Sequence, residues 1–145
     1  MSVQAKICGI NSEAAMGAAV EGSADYVGLV FYAPSPRAVT AIEAAELVRQ
    51  VPDDVIKVGL FVDMDDATFS AILSQVTLDL LQLHGAETPE RVAEIHALTG
   101  LPVMKAIKVA GAQDIEAADR YLDCADRLMF DAKAPKEMTN ALPGG

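Results

Sequence analysis

A regular alternation of short apolar runs with capped, amphipathic segments constrains the fold of this chain more than any other feature. The apolar runs are rich in Val, Ile and Leu and too short for ordinary helices, as expected for parallel strands covered on both faces. Because strands that alternate with helices pair in parallel through right-handed crossovers, the pattern predicts an α/β protein with one sheet. The predicted strands are residues 3–7, 26–31, 56–62, 78–83, 103–109 and 128–130.

Helix-start and helix-stop signals occupy the intervals between these strands. Thr40 and Glu43 have the spacing of a capping box, in which each side chain bonds the backbone N–H of the other residue. Thr88 precedes a proline at the first helical position, and Gly100 follows the last residue of the same helical pattern. A further helix is expected around residues 115–122. The complete set of predicted caps and stops is Asn11-Ser12, Gly22, Thr40, Asp63, Thr88 and Gly100.

Two architectures share this alternation, an open doubly wound sheet and part of an eight-stranded barrel. Phosphoacceptor receiver domains represent the first, and Asp63 and Lys108 match their acid after the third strand and lysine at the end of the fifth. A receiver also needs an acidic pair after the first strand to hold magnesium. Residues 8–10 are Cys-Gly-Ile, so the receiver interpretation fails.

Composition excludes several classes of partner. Eleven Lys and Arg against 21 Asp and Glu give a net charge of −10, which disfavours nucleic acid but allows a small phosphorylated substrate. The sequence has no apolar run of the length that a membrane span requires, so no membrane partner is expected. Its two cysteines, Cys8 and Cys124, do not form a disulfide framework, which favours a cytoplasmic protein.

Polar residues collect where the predicted strands end. Cys8, Asp63, His84 and Asp131 each stand at such an end, and Lys108 lies one residue before another. In a barrel of alternating strands and helices, these ends meet at one rim, where catalytic side chains collect.

Five motifs, taken together, resemble phosphoribosylanthranilate isomerase. They read KICGI at residues 6–10, FYAPSPR at 31–37, VGLFV at 58–62, LQLHG at 81–85 and LMFD at 128–131, in that family's order and spacing. The resemblance runs over residues 5–145. It implies a (βα)8 TIM barrel and the Amadori rearrangement of N-(5-phosphoribosyl)anthranilate to 1-(o-carboxyphenylamino)-1-deoxyribulose 5-phosphate in tryptophan biosynthesis. It also implies a small phosphosugar substrate, no cofactor and no metal.

The resemblance assigns roles to individual residues. Cys8 matches the general base and Asp131 the general acid of the family. Arg37 matches the arginine that pairs with the anthranilate carboxylate. Gln82 and His84 lie in a family motif and are expected to contact substrate, with His84 forming a polar floor of the pocket.

Neither catalytic group is in its working protonation state by default. A free aspartic acid ionises near pH 3.9 and a free thiol near pH 8.5, so the site must hold the acid protonated and favour the thiolate. Lys6 is a candidate for the charge that favours thiolate, because residues i and i+2 of a strand face the same side. Cys124 is expected to be an ordinary thiol, and His96 a surface or packing residue of a helix.

The length of the chain limits the predicted barrel. Such barrels need roughly 200 residues or more, so residues 1–145 are expected to form a single truncated domain with the first six strands and five helices. The last two strands and three helices would be absent, and residues 142–145 would be an interrupted glycine-rich loop. The alternative to an isomerase is an inactive fragment that associates with itself through its edge strands. A homo-oligomer is compatible with both interpretations.

Overall fold

The computed structural model describes residues 2–134, which form one sheet of six parallel strands with helices in the intervals. Successive strands are neighbours throughout, so the order is β1-β2-β3-β4-β5-β6. The strands are β1 (Lys6–Cys8), β2 (Tyr26–Val30), β3 (Ile56–Phe61), β4 (Leu80–Leu83), β5 (Val103–Val109) and β6 (Arg127–Ala132). The helices are α1 (Glu13–Glu21), α2 (Ala41–Val48), α3 (Asp66–Leu73), α4 (Pro89–Thr99) and α5 (Ala112–Ala117), the last continued by a 3₁₀ turn, Ala118–Tyr121.

The strand order identifies the barrel and excludes the open doubly wound sheet. A doubly wound sheet reverses its strand order at a switch point, and this sheet has none. The sheet is also curled: Arg127 of β6 donates a hydrogen bond to the Tyr26 hydroxyl of β2, four strands away in the sheet. The Arg127 guanidinium carbon lies 5.3 Å from the centre of the Tyr26 ring. The described residues therefore form a half-barrel of the predicted type.

Apolar side chains cover both faces of the sheet. The larger cluster lies between the sheet and the helices, with side chains such as Val27, Leu81 and Ile95. The smaller one fills the concave inner face with Tyr26, Val58, Leu80 and Met104, one residue from each of four strands. This double burial explains why the strands read as apolar runs without alternation.

Most helix caps lie where the sequence predicts them. Thr40 and Glu43 form the capping box, Thr88 caps α4 ahead of Pro89, and Gly100 ends α4 in the left-handed conformation. Asp63 is not a helix cap, contrary to the prediction. The cap of α3 is Asp65, whose side chain accepts the Thr68 N–H.

Asp63 instead ties two loops together. Its carboxylate accepts the Ala86 N–H at 2.9 Å, and its own N–H points to Glu87 Oε1 at 3.2 Å. The backbone adopts a φ of 47°, an unusual value for a residue other than glycine. The hydrogen bonds to the loop after β4 hold this conformation.

Element ends differ from the prediction by a few residues. β1 begins at Lys6 rather than Val3, and β6 extends past the predicted run, so Asp131 lies within the strand. The predicted glycine-rich loop at residues 142–145 lies outside the described residues. Among residues 2–134, no helix has the length and apolar character needed to span a bilayer.

Candidate active site

A cavity of about 260 Å³ opens at the carboxyl ends of the strands, on the inner face of the half-barrel. Its walls come from β1, β2, β3, β4 and β6 and from the loop after β2. The structure brings together in this cavity all six residues that the sequence singled out as a site. They are Lys6, Cys8, Arg37, Gln82, His84 and Asp131.

The thiol of Cys8 has room because of a glycine on the next strand. Cys8 pairs in register with Gly28, and a Cβ at Gly28 would lie 3.1 Å from the sulfur. Lys6 lines the same cavity two residues earlier on β1, which confirms that the two side chains share a face. Gly28 was missed in the sequence, where it is one residue of an apolar run.

Arg37 lies over the turn that follows β1. A Cβ at Gly9 would stand 2.7 Å from the Arg37 Cδ, and Gly9 has a φ of +80°. The backbone conformation therefore favours glycine there, and a larger residue would also displace the Arg37 side chain. The Arg37 N–H is 3.2 Å from the Ser35 hydroxyl, which stabilises the loop that presents the guanidinium.

A chain of three polar side chains crosses the floor of the cavity. Gln82 Nε2 lies 3.0 Å from His84 Nδ1, and His84 Nε2 lies 3.1 Å from Asp131 Oδ2. Gln82 is 1% and His84 3% exposed, whereas Asp131 is partly open to the cavity. Burial lowers the pKa of His84; the Asp131 carboxylate opposes this shift, and the charges of Lys108 and Lys105 add to it. The ring is therefore neutral at neutral pH.

A buried ion pair joins β5 to the loop that follows β4 and includes His84. The ammonium of Lys105 lies 2.9 Å from Glu87 Oε2 and 2.8 Å from the Gly85 carbonyl. Glu87 also accepts the Gly85 N–H, and the Tyr121 hydroxyl donates to the Glu87 carbonyl at 2.7 Å. Sequence reasoning missed this pair, although a lysine within the apolar run of β5 was a signal for a buried partner.

The arrangement suits proton transfer to and from a small anionic molecule. A thiol and a carboxyl group stand on the first and the last described strand, and Lys6 and Arg37 supply positive charge at the same cavity. Among residues 2–134, no group of three His, Cys, Asp or Glu side chains is placed to hold a metal ion.

Comparison with known proteins gives consistent matches. The family model described as N-(5'phosphoribosyl)anthranilate (PRA) isomerase matches residues 5–139. The N-(5'-phosphoribosyl)anthranilate isomerase of Paramagnetospirillum magneticum is 61% identical over 145 residues, which are 100% of this chain and 66% of the relative. The chain thus spans about two thirds of the length of this curated relative.

Solved structures agree with the sequence matches. The phosphoribosyl anthranilate isomerase of Thermotoga maritima superposes with a TM-score of 0.85 at 33% identity, over 93% of this chain and 64% of the other. A second solved isomerase is in complex with reduced 1-(o-carboxyphenylamino)-1-deoxyribulose 5-phosphate. It superposes with a TM-score of 0.83 at 31% identity, over 94% of this chain and 69% of the other.

Proposed function

Because the chain belongs to the N-(5'-phosphoribosyl)anthranilate isomerase family, we propose that the intact protein catalyses the Amadori rearrangement of N-(5-phosphoribosyl)anthranilate in tryptophan biosynthesis. The product is 1-(o-carboxyphenylamino)-1-deoxyribulose 5-phosphate. One observation carries the proposal: Cys8 and Asp131, from opposite ends of the described sheet, line one cavity with Lys6 and Arg37. The reaction needs one acid, one base and positive charge for an anionic substrate, and this cavity holds all three.

In the proposed mechanism, Asp131 is the general acid. Its proton goes to the furanose ring oxygen while the bond between that oxygen and the anomeric carbon breaks. The nitrogen lone pair forms the new double bond, so the product of this step is an open-chain protonated Schiff base. A positioned proton donor contributes on the order of 10² to 10⁴ in rate.

Cys8 is the general base of the second step. Its thiolate removes the proton from the carbon next to the Schiff base, and the electron pair moves to give a neutral enolamine. The enolamine then tautomerises to the ketone. Gly28 leaves the space in which the sulfur approaches that carbon, because any side chain there would crowd it.

Lys6 and Arg37 supply positive charge in this proposal. Arg37 pairs with the anthranilate carboxylate, and Lys6, on the same face of β1 as Cys8, favours the thiolate. Lys6→Met is expected to shift the limb of the pH–rate profile on which the rate rises as the Cys8 thiol loses its proton. An unchanged profile would show that Lys6 has no such role.

Conservative variants of the intact protein test the two proton-transfer roles. Cys8→Ala and Asp131→Asn are each expected to lower kcat far more than they raise KM, measured by loss of substrate. Cys124→Ala and Asp123→Asn are matched controls, because both residues lie outside the cavity lining. A large rise in KM with unchanged kcat would mean that Cys8 and Asp131 bind substrate without transferring protons.

For the 145-residue chain by itself, an inactive self-associating scaffold is the second candidate. The outward-facing side chains of the two edge strands favour it, since Ile7 of β1 and Phe130 of β6 are large, apolar and about half exposed. Unpaired strand edges beside apolar surface promote association. Turnover by the monomeric chain would exclude this candidate, and turnover only by the intact protein would support it.

A further inference from the structure

Both ring nitrogens of His84 have a partner, and one partner sets the position of the ring proton. The Gln82 amide nitrogen, 3.0 Å from His84 Nδ1, is only a donor. In this contact Nδ1 must therefore offer its lone pair. A neutral His84 then carries its proton on Nε2, which faces Asp131 Oδ2 at 3.1 Å.

A general acid beside a histidine faces a chemical difficulty. With ordinary pKa values of about 3.9 and 6.5, a proton shared by the two groups prefers the imidazole by a factor of roughly 400. An aspartic acid and a histidine with these ordinary values would together form a carboxylate and an imidazolium. In that form the carboxyl group has lost the proton that ring opening requires.

We propose that Gln82 is a positioning residue that opposes the imidazolium form of His84 and holds the neutral ring in the Nε2–H tautomer, whose N–H points at Asp131. The inference rests on the proposed function and adds to it a role that acts through His84 rather than on the substrate. Protonation of Nδ1 would set two N–H donors against each other at 3.0 Å in a buried site. The Gln82 donor thereby opposes the imidazolium.

The positive charges of the neighbouring strand also oppose the imidazolium. Burial lowers the pKa of His84, and Lys108 and Lys105 of β5 lower it further. Across the cavity stand Lys6 and Arg37, both cationic, with the thiol of Cys8. Asp131 is the group that favours the imidazolium.

The orientation of the Gln82 amide is what the inference depends on. Gln82 Oε1 is buried and has no hydrogen-bond partner among the described residues. The contact of Nε2 with His84 Nδ1 is the side-chain hydrogen bond that this amide makes. A reversed amide would place Oε1 against Nδ1, which would then need a proton, and the two arrangements give different ring tautomers.

Nitrogen NMR of the ring distinguishes these arrangements. The intact protein is labelled with 15N-histidine, and the ring nitrogen shifts are followed from pH 8 to 5, with His84→Asn used to assign the His84 signals. We expect the Nε2–H tautomer at neutral pH and a ring that takes up its second proton at a lower pH than a free imidazole does. An Nδ1–H tautomer, or an imidazolium at pH 7, would overturn the proposal.

Gln82→Glu is the matched perturbation, because it keeps the shape and replaces the donor with an acceptor. We expect the apparent pKa of His84 to rise by at least about one unit, as for a histidine beside an added carboxylate. We also expect kcat to fall at least tenfold with KM within about threefold. An unchanged His84 titration would refute the role of Gln82.

Two further variants control for the added charge and for a failure of Gln82→Glu to fold. Gln50→Glu places the same change on an exposed residue and is expected to leave the His84 signals and kcat unchanged. If Gln82→Glu does not fold, Gln82→Met removes the donor without adding charge, and the pKa of His84 must still rise. A wild-type protein that shows the Nε2–H tautomer but does not turn over substrate would refute the proposed function and leave the tautomer assignment standing.

Discussion

Removing the ammonium of Lys105 would break the ion pair behind the candidate site. Lys105→Met keeps most of the aliphatic stem and deletes the group that contacts Glu87 Oε2 at 2.9 Å and the Gly85 carbonyl at 2.8 Å. The Lys105 and Glu87 side chains are each 2% exposed, so water cannot replace the lost partner. The Glu87 carboxylate would remain buried with only backbone donors.

The expected loss of folding stability follows from this burial. Breaking a buried ion pair by removing one partner costs about 3–5 kcal/mol. The N–H groups of Gly85 and Asp63 still point at the Glu87 carboxylate, so we expect the lower end, about 3 kcal/mol. Lys57→Met is the matched control, because its partner Asp79 is 40% exposed and is hydrated when left alone. Its expected cost is at most about 1 kcal/mol.

Urea denaturation measures these differences as shifts of the midpoint at constant slope. A double variant, Lys105→Met with Glu87→Gln, removes the uncompensated charge and is expected to recover at least about 1 kcal/mol of the loss. A loss below about 1 kcal/mol in Lys105→Met would refute the reasoning. So would a double variant no more stable than Lys105→Met alone, because the cost would then not come from a stranded carboxylate.

Three other perturbations test separate parts of the description. Gly28→Ala places a methyl group 3.1 Å from the Cys8 sulfur and is expected to lower kcat by about tenfold or more. Gly17→Ala on α1, where the nearest atom, Gln50 Oε1, lies at an ordinary contact distance of 3.9 Å, should leave kcat unchanged. Thr88→Ala removes the cap that accepts the Arg91 N–H and should cost about 1 kcal/mol in urea denaturation. Burial lowers the pKa of His84 in the folded protein below the ordinary histidine value of 6.5. At a pH near or below 6.5, residue 84 therefore binds more protons in the unfolded chain than in the folded one. Stability should therefore fall as the pH drops from 7 toward 5, and His84→Gln should reduce that slope in a thermal melt.

Local signals were sufficient for the element order and for most caps. The capping box of Thr40 and Glu43 and the Pro89 start of α4 involve residues close in sequence, so their geometry follows from short-range chemistry. Convergence of the site residues was also predictable. Parallel strands place their carboxyl ends at one edge, so polar residues such as Cys8 and His84, at or just beyond those ends, must meet there.

Only the tertiary structure decided what surrounds these residues. Arg127 reaches Tyr26 across 101 positions of sequence, a contact that exists only because the sheet curls and brings β1 and β6 to one cavity. The partner of Lys105, the loop contact of Asp63 and the space beside Cys8 each depend on which residue a neighbouring strand or loop brings close. A sequence pattern sets which side of a strand a residue faces, whereas register, curl and packing set what it meets there. The meeting of the six candidate residues at one cavity was therefore predictable, and the order of hydrogen bonds from Gln82 through His84 to Asp131 was not.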